Sequence, residues 1–134
     1  MTGLTALLLF AGLTLVLMLL YVLGRFPPVL TGKKPANSWT RGKPTEDGAF
    51  STRAQHAHYN ALENLPVFAA IVLAAAAMGK SAVVDSVAIY ILAARVGQAV
   101  VHLIGTSHWL VFIRANLFVV QVALFLYCIV KLVA

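Results

Sequence analysis

The sequence predicts an all-α integral membrane protein, a bundle of four transmembrane helices. Hydrophobic residues make up 61% of the 134-residue chain and charged residues only 10%. This composition is far more apolar than that of a soluble domain. The apolar residues form four long runs, and most basic residues fall in one polar segment, residues 24–51. The length corresponds to a single domain over residues 1–134.

The first helix is predicted at residues 3–23, because Leu4–Leu23 contains no charge and is long enough to cross a bilayer. Gly24, Pro27 and Pro28 end this helix. The polar segment 24–51 follows as a loop, rich in proline and glycine.

The loop holds most of the positive charge. Six of the ten Lys and Arg residues lie in or beside it: Arg25, Lys33, Lys34, Arg41, Lys43 and Arg53. A basic loop next to apolar spans is typical of the cytoplasmic side of a multi-pass protein. We therefore expect loop 24–51 to be cytoplasmic and both chain termini to lie on the opposite side. No aromatic-basic groove accompanies the charge, so we expect no nucleic-acid partner.

The remaining helices are predicted at residues 52–79, 82–104 and 109–133. The uncharged part of the second, Leu65–Gly79, is too short to cross alone at about 1.5 Å per residue. The helix must therefore include His56–Asn64, whose polar side chains have to face protein or a watery cavity.

The polar residues of the spans are expected to share one depth. His56, Asn60 and Glu63 follow a three-four spacing on the second helix, and Arg95, Gln98 and His102 do so on the third. Glu63 and Arg95 each lie roughly 15 Å from the cytoplasmic ends of their helices, and we expect them to form an ion pair. Arg114 lies a few residues into the fourth helix from the same side.

Two interpretations of this polar layer remain open. It is either a buried network that fixes helix register or an anionic-ligand site that opens to the cytoplasm. Donors outnumber acceptors, which suits a carboxylate-rich or thiolate ligand held by arginine. Glu63 is the one carboxylate among these residues, so a di-iron centre is excluded. We expect no metal, although a haem or zinc site at His56 and His102 stays open.

Two strings, NALENLPVFAA on the second helix and LAARVGQAVVHLIG on the third, resemble the MAPEG family (membrane-associated proteins in eicosanoid and glutathione metabolism), in particular its bacterial members. The resemblance implies a homotrimer in a bacterial inner membrane. It also implies that glutathione binds between neighbouring subunits near the cytoplasmic face, with an arginine of the fourth helix stabilising the thiolate. By position, Asn60, Glu63 and Arg95 match family motif residues, and Arg114 lies where that arginine would.

The leading hypothesis is a membrane-bound glutathione transferase or peroxidase that acts on a lipophilic electrophile. Arg114 is the candidate catalytic residue. The glutathione-binding candidates are His56, Asn60, Glu63, Arg95, Gln98 and His102. The alternative is a non-catalytic scaffold or accessory subunit, or a binder of another anionic or lipid ligand, because Gln98 and His102 stand where the family has tyrosines.

Overall fold

The computed structural model describes residues 1–42, Pro44 and 46–134; the loop residues Lys43 and Thr45 lie outside the described residues. Regular structure in the described residues is helical throughout, with no strand, so the all-α prediction is confirmed. The helices are α1 (Gly3–Leu23), α2 (Phe26–Leu30), α3 (Ala49–Ala77), α4 (Ser81–Asp85), α5 (Ala88–Ile104) and α6 (His108–Val133), and Ala36–Trp39 forms a 3₁₀ turn.

Within the described part of the chain, three helical segments are long and apolar enough to cross a membrane: Gly3–Leu30, Ala49–Ala77 and His108–Val133. Their outer faces carry many exposed leucine, valine, isoleucine and phenylalanine side chains, which is the surface that lipid solvates. The 17 residues of α5 fall below this length. The crossing of the bilayer by the third predicted span therefore stays a prediction.

The predicted third helix, 82–104, differs from the structure, which divides it into α4 and α5 at Ser86 and Val87. The Ser86 hydroxyl donates a 2.7 Å hydrogen bond to the carbonyl oxygen of Val83. A serine side chain that bonds to its own backbone competes with helix continuation. The regular helix therefore stops here, and α5 begins at Ala88.

The predicted second helix, 52–79, corresponds to α3, which begins three residues earlier and ends at Ala77. Gly79 follows with φ of +67°, a left-handed conformation that favours glycine. The amide of Gly79 donates to the Ala76 carbonyl at 3.1 Å, and the amide of Lys80 donates to the Ala75 carbonyl at 2.8 Å. This pair of bonds satisfies carbonyls that the helix end would leave without partners.

The core contains residues of α1, α3, α5 and α6, and three aromatic rings connect α1, α3 and α6 within it. The Phe10 and Phe68 rings lie 5.8 Å apart, and the Phe68 ring stacks on Phe125 at 5.6 Å. All three phenylalanines are buried. Aromatic pairs at these distances add to the energy of apolar packing, so they help to hold α1 and α6 against α3.

Asp47 orders the loop between α2 and α3 through side-chain hydrogen bonds. Its carboxylate accepts hydrogen bonds from Arg25 Nη2 at 2.7 Å and from Trp39 Nε1 at 2.8 Å. Burial of the side chain raises the pKa of Asp47, but the hydrogen bonds from Arg25 and Trp39 outweigh it, so the pKa is lowered from its ordinary value of 3.8. The anionic form of Asp47 therefore stabilises the ordered loop.

Candidate functional site

Arg95 is the centre of a buried polar cluster between α3, α5 and α6. Its side chain is 1% exposed. Nη1 donates to Asn60 Oδ1 of α3 at 2.6 Å, and Nη2 donates to Gln121 Oε1 of α6 at 2.6 Å. The guanidinium carbon lies 5.1 Å from the centre of the Phe10 ring, close enough for a cation–π interaction. Three helices therefore share one buried cation.

Gln98 joins the same cluster from the next turn of α5. Its Nε2 donates to Gln121 Oε1 at 3.0 Å, so Gln121 accepts from two side chains of α5. Three buried polar atoms in the described residues lack a hydrogen-bond partner: Arg95 Nε, Gln98 Oε1 and Gln121 Nε2. Hydrogen bonds thus join all three side chains of Arg95, Gln98 and Gln121, but each of them also keeps one buried polar atom without a partner.

The predicted ion pair between Glu63 and Arg95 is wrong. Within the described part of the chain, the ion pair found is that of Arg25 and Asp47 in the loop. The amide oxygens of Asn60 and Gln121 occupy the two Nη groups of Arg95 instead. Glu63, three residues after Asn60, is exposed on the outer surface of α3. Neutral amides can solvate a guanidinium within the protein, and their burial carries a smaller desolvation cost than that of a second charge.

A second group, here called the cationic cluster, lies one helical turn toward the loop. It comprises Arg53, His56, His102 and Arg114. The rings of His56 and His102 lie 6.3 Å apart, and Arg114 and Arg53 are charged neighbours of His102. His102 is buried, His56 is exposed and Arg114 is half-buried. The cluster is therefore reachable from outside the single chain.

Arg53 is the structurally fixed member of the cationic cluster. Its Nε donates to the carbonyl oxygen of Leu103 at 2.9 Å, near the end of α5. A cation that binds the last carbonyls of a helix stabilises that end. This contact fixes the end of α5 that carries His102 beside the part of α3 that carries His56.

Arg114 has a different environment from Arg95. It lies six residues after the first residue of α6, roughly 9 Å along the helix axis. No hydrogen bond or ion pair joins its side chain to another described residue. Its charge is therefore available to a ligand, whereas the two terminal nitrogens of Arg95 are already engaged.

The sequence-predicted residues thus divide into two groups and one outlier. Asn60, Arg95 and Gln98 are hydrogen-bonded in the buried cluster, while His56, His102 and Arg114 belong to the cationic cluster. Glu63 is the outlier, since its side chain faces outward. No group of three or more His, Cys, Asp or Glu side chains suited to a metal ion occurs among the described residues.

Gln121 was not among the predicted site residues, yet it is fully buried and links α6 to Arg95. One signal was available in the sequence. Gln121 follows Arg114 by seven residues, which is two helical turns, so both lie on one face of α6. An amide in an apolar run that shares a face with an arginine indicates a buried partner on a neighbouring helix.

Long apolar helices around a buried polar centre define an α-helical integral membrane protein. The sequence comparison is more specific: the chain belongs to the MAPEG family, whose model matches residues 3–134. No curated protein and no solved structure matches the chain. The family includes glutathione transferases and peroxidases as well as non-catalytic members.

Proposed function

We propose that the protein is a membrane-bound glutathione-dependent transferase or peroxidase that acts on a lipophilic electrophile. The observation that carries the proposal is the cationic cluster. Arg114 is half-buried and has no protein partner in the described residues, and it is one of three charged or ionisable neighbours of His102, with His56 and Arg53. Glutathione has two carboxylates and an ionisable thiol, so it suits a site that contains two arginines, Arg53 and Arg114.

Arg114 is the proposed catalytic residue. A positive charge beside the thiol favours the thiolate, which is the reactive nucleophile. In a transfer reaction the thiol loses its proton, the sulfur bonds to the electrophilic carbon, and the leaving group departs with its electron pair. In a peroxidase reaction the O–O bond of a lipid hydroperoxide breaks, two thiols are oxidised to a disulfide, and their two protons end in the alcohol and the water that form. Residues that orient glutathione are Asn60, Gln98 and His102, with His56 at the outer edge.

Glu63 supports the proposal that the protein assembles as a homotrimer. Its carboxylate is exposed on α3 in the single chain, and α3 is one of the membrane-capable helices. A charged side chain that faces lipid at the middle of a span costs at least about 2.5–3.5 kcal/mol. A neighbouring copy that covers this face of α3 removes the cost. Such a copy would also close the side of the site at which His56 is exposed.

The proposed orientation places residues 24–51 in the cytoplasm of a bacterium and both termini on the other side of its inner membrane. The positive charge of the loop supports it. The site would then admit glutathione from the cytoplasm, while the electrophile would arrive from the bilayer between helices. Arg95 and Glu63 would contribute to glutathione binding indirectly, Arg95 through Asn60 and Glu63 through subunit assembly.

The test is glutathione binding and conjugation to chlorodinitrobenzene by the purified protein in detergent. We expect Arg114→Ala to lower kcat/KM by about 10²-fold or more, as the removal of one preorganised charge-stabilising group does, and Arg114→Lys to retain part of the activity. Lys131→Ala is the matched control, since Lys131 is an exposed cation in the last turn of the same helix. Absence of both binding and conjugation in the native protein would overturn the proposal.

A second candidate function is that of a non-catalytic scaffold or accessory subunit, or a binder of another anionic or lipid ligand. The internal satisfaction of Arg95 by Asn60 and Gln121 favours it, because those nitrogens hold helices together and do not reach a ligand. Under this alternative, Arg95→Leu and Glu63→Gln lower the trimer fraction in size-exclusion chromatography with light scattering, while Arg114→Ala changes nothing.

A further inference from the structure

A polar cavity of about 500 Å³ lies outside the site described above, between the end of α1, the first half of α3 and the loop. Its lining includes Tyr21, Arg25, Trp39, Arg41, Gln55 and Tyr59. The α3 residues Gln55, Tyr59 and Leu62 follow a four-three spacing and form one face of the helix. His56, Asn60 and Glu63 each come one residue later, about 100° around the helix. The cavity and the candidate active site therefore use different faces of α3.

Two arginines, Arg25 and Arg41, give the cavity wall a positive charge. Arg25 gives Nε and Nη2 to Asp47, at 3.2 and 2.7 Å, which leaves Nη1 for another acceptor. Arg41 is exposed and makes no hydrogen bond or ion pair with the described residues. Among the described residues, Asp47 supplies the carboxylate that contacts Arg25, and Arg41 adds a second positive charge at the cavity wall that no described carboxylate compensates.

The aromatic residues of the cavity provide hydrogen-bonding groups and a position at the membrane surface. The Tyr59 oxygen accepts a 3.0 Å hydrogen bond from Gln55 Nε2, which orients the hydroxyl so that its proton can be donated elsewhere. Trp39 is fixed by Asp47 and belongs to the residue type that concentrates at the membrane–water boundary. A bilayer crossed by α1 and α3 would therefore place the cavity near the lipid headgroups.

Apolar surface continues from the cavity toward the middle of the membrane. Leu62 forms the inner edge of the cavity and is 46% exposed. Pro66 and Leu73 extend this exposed apolar strip along α3. A ligand that fits the whole surface has an anionic head and a hydrocarbon tail.

We propose that this cavity binds the phosphate group of an anionic phospholipid, with Arg41 and Arg25 on the phosphate oxygens, Tyr59 as an additional donor and an acyl chain along Leu62. Free phosphate shares the headgroup chemistry but does not use the apolar strip. Anionic lipid also gains from the general attraction between a basic segment and a charged membrane surface. The lipid therefore has two sources of affinity, one of them specific to the cavity.

The test uses the delipidated full-length protein in a non-ionic detergent. Native mass spectrometry measures the binding of phosphatidylglycerol and phosphatidylcholine, and calorimetry measures the binding of glycerol 3-phosphate. We expect phosphatidylglycerol to bind most tightly. Arg41→Ala should weaken it about tenfold or more, as expected for the loss of a hydrogen bond to a charged group, and Tyr59→Phe should weaken it by a smaller factor.

Lys33→Ala is the control, because Lys33 is an exposed cation of the same loop and does not line the cavity. Size-exclusion chromatography checks that each variant remains folded. Equal losses in Arg41→Ala and Lys33→Ala would overturn the proposal, since they would indicate attraction to the loop in general. Equal affinity for phosphatidylcholine would also overturn it. Glycerol 3-phosphate that binds as tightly as the lipid would reassign the cavity to a soluble phosphate.

Discussion

Replacement of Gln121 by leucine tests whether the buried cluster around Arg95 stabilises the fold. Gln121 Oε1 accepts a 2.6 Å hydrogen bond from Arg95 and a 3.0 Å hydrogen bond from Gln98. A hydrogen bond to a charged group contributes about 1.5–3 kcal/mol, and a neutral one between membrane helices about 0.6 kcal/mol. The substitution also removes Gln121 Nε2, a buried donor without a partner, which raises the free energy of unfolding by about 1 kcal/mol. We therefore expect Gln121→Leu to lower the free energy of unfolding by roughly 2 kcal/mol.

The assay is reversible unfolding in mixed micelles with increasing dodecyl sulfate, followed by circular dichroism. Asn116→Leu is the matched control on α6, because the Asn116 side chain is exposed and donates only to the Phe112 carbonyl of its own helix. We expect this control to lose no stability. Gln121→Glu should keep the native stability at neutral pH, since it retains the acceptor and gives Arg95 a counter-ion. Equal stability of Gln121→Leu and Asn116→Leu would refute the argument.

Two further predictions concern the loop and the start of α1. The pKa of Asp47 is lowered in the folded protein, so its stabilising contribution is complete above the ordinary pKa of 3.8. This contribution disappears as the pH falls through the lower pKa of the folded state. The Trp39 indole N–H signal in NMR spectra should therefore shift in that acidic range and stay constant near neutral pH. A Cβ added at Gly3 would lie 2.8 Å from Val84 Cγ1, whereas a Cβ added at Gly12 meets nothing within 4 Å. In the same unfolding assay, Gly3→Ala should therefore destabilise the protein. Gly12→Ala should stabilise it by up to about 1 kcal/mol, because alanine favours a helix more than glycine does.

The helical architecture was predictable because apolar run length is a strong signal in membrane proteins. An uncharged run from Leu4 to Leu23 leaves little alternative to a helix. The break at Ser86 was not predictable by this reasoning, since hydropathy does not register a side chain that bonds to its own backbone. The loop cavity was also not predictable from the sequence, because it depends on the hydrogen bonds that Arg25 and Trp39 make to Asp47.

The buried cluster was predictable in location but not in its partners. The count of residues from the helix ends placed Glu63 and Arg95 at one depth, and the three-four spacing placed Asn60 on the same stripe of α3. The structure joins Asn60 to Arg95 at 2.6 Å. The choice of Glu63 as the partner of Arg95 assumed that opposite charges meet wherever they are near in depth. The orientation of α3 decides otherwise, because it directs Asn60 toward Arg95 of α5 and leaves Glu63 exposed.

The two arginines of the polar region differ in what they can do, although the sequence presents them alike. Arg95 is fully buried and has both terminal nitrogens occupied by amide oxygens, so its replacement should first change stability. Arg114 is half-buried and contacts no acceptor among the described residues, so its replacement should change anion binding and leave unfolding nearly unaltered. If Arg95→Leu altered glutathione affinity at unchanged stability and Arg114→Ala did the reverse, this division of roles would be wrong.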